Sequence, residues 1–107
     1  MTETEFNRQV DAVLLKIESA LDASVGDLDY ETVGGILEIE CSSGSRIIIN
    51  RQTPNREIWV AAKSGGFHFR AEKKRWIDTR DGRELSEALK TIILSQSGEK
   101  IVIDLTE

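Results

Sequence analysis

At 107 residues, 39% hydrophobic and 31% charged, the chain suits one domain over residues 1–107 with one core, and is too apolar to be disordered. Its net charge of −5 is uneven: residues 1–31 carry eight acidic side chains against Arg8 and Lys16, whereas residues 46–83 carry ten basic against four acidic. No apolar run approaches the roughly 20 residues that span a bilayer, the start MTETEFNRQV lacks a signal-peptide pattern, and a lone cysteine, Cys41, excludes an intrachain disulfide.

The first element reads as a helix. Phe6, Val10, Val13, Leu14, Ile17 and Leu21 recur at spacings of three and four, which makes one apolar stripe. Thr2 followed by Glu5 fits a capping box, and Glu3 and Glu5 suit the positive end of the helix dipole. Gly26 and the acidic residues around it should end this helix near residue 23.

From Tyr30 the period changes to two. Leu37, Ile39 and Cys41 alternate with Glu38 and Glu40, so one face of a strand is buried and the other is wet. Turn signals at Gly34-Gly35 and at Ser42–Ser45 bound strands 36–41 and 46–52. Thr53-Pro54-Asn55 makes the next turn, and strands at about 57–62, 67–71 and 74–78 complete a meander. After Asp81-Gly82 the helical period returns with Leu85, Ala88, Leu89, Ile92 and Ile93, and Gly98 should stop that helix. The tail Ile101–Leu105 is apolar enough to pack as a strand or an extended plug. The order of elements specifies an α+β fold, a two-layer α/β sandwich: two helices on one face of a five- to six-stranded antiparallel sheet, with the other face open to solvent.

Two surfaces stand out. On the first helix, Asp11, Glu18 and Asp22 fall within about 40° of each other at 100° per residue. Asp27, Asp29 and Glu31 continue the acidic run into the first strand. Clustered carboxylates repel one another, and a hard cation relieves that repulsion. Oxygen ligands suit magnesium, calcium, manganese and oxidised iron rather than zinc. A solvated helix face accounts for the same spacing, and spacing alone leaves both readings open.

The second surface follows from alternation. If Leu37, Ile39, Ile47 and Ile49 face the helices, then Asn50, Gln52, Trp59 and His68 lie on the open face of neighbouring strands. An exposed indole beside amides has the composition of an interface hot spot, although Trp59 as a mere shield for the sheet fits the pattern equally. Lone His68, with no cysteine beside it, reads as an interface residue, and Cys41 as a small core residue. The basic cluster Arg70, Lys73, Lys74 and Arg75 lies in an acidic chain without an RNA-binding aromatic signature, so no nucleic-acid partner is expected, and no membrane partner either.

The acidic first helix, G-G-x-L-x-I at 34–39, I-I-N-R-Q-x-P at 48–54, I-W at 58–59 and S-G-G-F-H-F at 64–69 together resemble the frataxin family, in its bacterial CyaY branch. The resemblance runs from about Glu5 to Gly98. It implies an α/β sandwich that binds ferrous and ferric iron weakly through Asp11, Glu18, Asp22, Asp27, Asp29 and Glu31. It further implies docking on a cysteine desulfurase and its iron–sulfur scaffold through Asn50, Gln52, Trp59 and His68. The protein would then regulate cluster formation in an iron-dependent way as a binding module, with a weak ferroxidase activity left open. An iron chaperone or storage protein with ferroxidase activity is the alternative, but a ferroxidase centre usually needs clustered glutamates with a Glu-x-x-His pattern, absent from this chain. Ser19, Ala23 and Val25 stand where familiar bacterial members are acidic, so the ridge is thinner here. A cytoplasmic monomer is expected, with iron-driven oligomers left open.

Overall fold

Thr2 starts the first helix, α1 (Glu3–Ala23). Its hydroxyl accepts from the backbone N–H of Glu5 at 3.1 Å and donates to that residue's Oε1 at 3.2 Å. One hydroxyl thus satisfies an orphan backbone donor and holds the first-turn carboxylate near the positive end of the dipole. Ser24 closes the helix, its backbone N–H and its hydroxyl both donating to the carbonyl of Leu21. All six residues of the expected stripe, from Phe6 to Leu21, are buried. The computed structural model describes residues 1–105 apart from positions 25 and 27.

Six strands follow in an antiparallel meander: β1 (Asp29–Val33), β2 (Ile36–Glu40), β3 (Arg46–Gln52), β4 (Glu57–Ala62), β5 (Gly65–Glu72) and β6 (Arg75–Asp78). Spatial order equals chain order, so β1 and β6 are the edges. Gly34 and Gly35, at φ 61° and 78°, form the tight β1–β2 turn. Two consecutive positive φ values fit the right-handed twist of a hairpin, and glycine reaches them without steric cost. Strand β5 begins two residues before the expected start at 67, because Gly65 and Gly66 still pair with Ala62 and Ala61. Pro54 sits in a short 3-10 turn, Thr53–Asn55, between β3 and β4.

The second helix, α2 (Leu85–Ser97), ends at Gly98, whose N–H donates to the carbonyl of Leu94 and whose φ of 76° turns the chain out of the helix. The apolar faces of both helices and the inner face of the sheet form one core. Leu37, Ile39, Ile47, Ile49, Ile58, Val60 and Phe69 are each at most 1% exposed. Burying a side chain of this size contributes about 1.5–3 kcal/mol. Trp76 joins them and meets Phe6 of α1 edge-on, ring centroids 6.0 Å apart. The tail is an extended plug rather than a strand: Ile101 and Ile103 are buried, yet they join no ladder. Among the described residues no helix is long and apolar enough to cross a membrane. The consequence for function is an asymmetric sheet with helices on one side and a wet face on the other.

Candidate metal ridge and docking face

Three acidic side chains of α1, Asp11, Glu18 and Asp22, each acquire a partner from the sheet, the last two from the edge strand β1. Tyr30 on β1 donates its hydroxyl to Oδ1 of Asp22 at 2.7 Å, and the hydroxyl of Thr32 donates to Oε2 of Glu18. Residues 30 and 32 share a face by alternation, so one edge strand pins two successive turns of the helix. The bond to Asp22 is the main cause that lifts the phenol of Tyr30 above its ordinary range; desolvation and the negative charges of Asp22 and Glu18 add to it. Asp11, farther toward the helix start, is held by Nη2 of Arg51, while Nη1 of Arg51 donates to Asn7 Oδ1 at 3.0 Å. Arg51 follows the inward residues Ile47 and Ile49 on β3, and its guanidinium passes under Gly35. A Cβ added there would lie 2.9 Å from Nε.

Asp29 and Glu31 belong to the same edge but to its other face. They oppose Glu40 and Glu38 on β2, whose carboxylates are held by Arg46 at 3.6 Å and 3.0 Å. The expected ridge therefore wraps round the edge strand instead of converging on one point. Among the described residues no three histidine, cysteine, aspartate or glutamate side chains are placed to hold one ion together. Ser19 and Ala23 are exposed on α1, so they leave this rim without further carboxylates; Asp27 and Val25 lie outside the described residues.

The open face gathers the remaining expected residues. Register places Asn50, Trp59 and His68 opposite one another across β3, β4 and β5. The imidazole of His68 is stacked on the indole, with ring centroids 4.5 Å apart. Gln52 lies in the neighbouring row, opposite Glu57, which in turn faces Arg70. Glu57 was not anticipated from the sequence. It points to the open face, yet its side chain is only 7% exposed. Its Oε1 accepts from Nε1 of Trp59 at 2.9 Å, its Oε2 accepts from Nη2 of Arg70 at 3.1 Å, and Nδ1 of His68 lies 3.6 Å from Oε1. The available signal was phase: residues 57 and 59 share a face of one strand, and the hairpin register that pairs 59 with 68 also pairs 57 with 70. Within the basic cluster, Arg70 is thus tied to Glu57 and Arg75 to Glu84 at 3.0 Å.

Known proteins resemble the chain in sequence and in fold. The family model for the frataxin-like domain matches residues 1–99. An iron–sulfur cluster assembly protein CyaY from Dechloromonas aromatica is 49% identical over 104 residues, which cover 96% of this chain and 99% of that one. Among solved structures, frataxin from Psychromonas ingrahamii superposes with a TM-score of 0.90 at 36% identity, covering both chains completely. A trimeric frataxin from the yeast Saccharomyces cerevisiae, in its ferrous complex, matches with a TM-score of 0.68 at 26% identity, over 89% of this chain and 85% of that one.

Proposed function

The chain belongs to the frataxin-like family, and from that premise we propose that it is an iron-binding protein of iron–sulfur cluster assembly in the cytoplasm. In this reading it docks on the cysteine desulfurase and its scaffold protein, and it regulates cluster formation according to iron supply. The observation that carries the docking half is the row Asn50–Trp59–His68 on a sheet face that no helix covers. An indole there, flanked by amides and an imidazole, supplies a large rigid contact surface with polar groups at its rim.

The iron half rests on the oxygen chemistry of the α1–β1 edge. Glu18 and Asp22 on one side and Asp29 and Glu31 on the other offer hard donors, which suit ferrous and ferric ions. Donors spread round an edge fit loosely held, largely hydrated ions, and iron here is a signal or cargo rather than a resident cofactor. Asp11, already held by Arg51, would contribute only by giving up that ion pair.

Desulfurase turnover measured with and without the protein, across an iron titration, tests the whole reading. An effect of the protein on turnover that changes with iron is the expected result. Equal turnover at every iron level, with no complex formed, would overturn it.

A further inference from the structure

Among the described residues two carboxylates are buried, Glu57 and Asp78, and Glu57 is the one on the open face of the sheet. An outward carboxylate on a wet sheet face is ordinarily hydrated, yet here it is 7% exposed beside Trp59, His68 and Arg70. Removing a carboxylate from water is costly unless charge-assisted hydrogen bonds replace the lost hydration. Both oxygens of Glu57 have such replacements, from the indole N–H of Trp59 and the guanidinium of Arg70. Arg70 reaches Glu57 from the exposed side and keeps 67% of its own side chain in water.

This geometry has a specific effect on Trp59. An indole is oriented by two side-chain torsions. The Nε1–Oε1 bond anchors the ring edge, and the imidazole of His68, only 12° from parallel, fixes the ring plane. We infer that Glu57 is the positioning residue of the docking face, a buried anion that sets the Trp59 ring, and with it the His68 stack, in one orientation before a partner arrives. The inference rests on the docking reading above and adds to it a residue and a reason. A ring ordered in advance loses little side-chain entropy on docking, so more of its contact energy appears as affinity. Because its N–H is already satisfied within the chain, the partner meets the ring surface and need not supply an acceptor.

The experiment compares Glu57→Leu, Glu57→Gln and Trp59→Ala in the full chain, by affinity for the cysteine desulfurase and by the indole N–H resonance of Trp59. The second indole, Trp76, is buried on the inner face and gives the reference signal. Glu57→Leu should shift or broaden the Trp59 resonance and lower affinity by at least about tenfold, through lost pre-ordering. Glu57→Gln keeps an oxygen that accepts from Nε1, so it should hold the resonance near its original position and restore most of the affinity. Glu57→Ala repeats the comparison without bulk to accommodate, should the leucine variant fold poorly. Full affinity in both the leucine and alanine variants, alongside a defective Trp59→Ala, would overturn the role of Glu57 and leave the docking face standing. Full affinity in Trp59→Ala would remove the docking face itself, and the inference with it.

Discussion

The imidazole of His68 lies on the indole of Trp59, with centroids 4.5 Å apart and planes within 12°, and the two residues are direct cross-strand partners on β4 and β5. Cross-strand pairs of this kind contribute roughly 0.2–1 kcal/mol to a sheet. Truncating a buried core tryptophan to alanine costs about 3–5 kcal/mol. Trp59→Ala is therefore expected to lower stability far less than Trp76→Ala, the buried comparison. Its loss of desulfurase affinity should reach roughly 2 kcal/mol or more, as hot-spot truncations do. Thermal melting and a binding isotherm on the same two variants check both halves. Equal destabilisation by the two substitutions would mean that Trp59 serves the fold rather than a partner.

At the ridge, Glu18→Gln combined with Asp22→Asn removes two charges but leaves oxygens that still accept from Thr32 and Tyr30. Stability should change by no more than about 0.5 kcal/mol, as exposed helix charges usually do. Ferrous affinity measured by calorimetry should fall, and millimolar calcium or manganese should compete with iron in the unaltered protein, since the donors are all oxygens. An unchanged isotherm in the double variant would place the iron elsewhere.

Tyr30 reports on the same edge, and as the chain's one tyrosine it titrates alone in the ultraviolet. Its phenol is raised from 10.0, chiefly by the hydrogen bond to Asp22. The sign for stability follows directly. A group raised in the folded state contributes stability that is fully present below its unfolded value and lost as pH rises through the folded value. The contribution is thus intact at neutral pH and disappears only in strong alkali. Asp22→Ala, which removes the acceptor together with the charge, should move the titration midpoint of Tyr30 down toward the ordinary value. A midpoint that stays in place would show that the phenol has no such partner in solution.

The β5–β6 hairpin turns at Lys73 and Lys74, whose φ values of 50° and 66° lie in the left-handed region. Such a turn favours Asn-Gly, because two non-glycine residues there crowd Cβ against the following carbonyl. Replacing the pair by Asn-Gly should raise stability by about 1 kcal/mol, which for a chain of this size is several degrees in melting temperature. Differential scanning calorimetry would decide it. A lower melting temperature would mean that the lysines make compensating contacts.

Much of this architecture was legible in the sequence because its causes are local. The stripe from Phe6 to Leu21, the Thr2 cap and the stop at Gly98 follow from helical period and from backbone groups within a few residues. Alternation in 36–41 and 46–52 correctly sent Ile47 and Ile49 inward and Asn50 outward, since side chains on a strand change face at every residue. Gly34-Gly35 marked a hairpin turn by its conformational freedom, whereas Lys73-Lys74 forms a similar turn with no such mark, because the pairing of β5 with β6 imposes it. Tertiary structure alone decided which charges meet. Arg51 carries the inward phase of β3 to the rim of the core, where Asp11, 40 residues away, receives its guanidinium. The two faces of β1 separate Asp29 and Glu31 from the hydroxyls that hold Glu18 and Asp22. Strand register alone sets Glu57 between Trp59 and Arg70, because burial and charge pairing depend on neighbours that only the folded chain brings within a few ångströms.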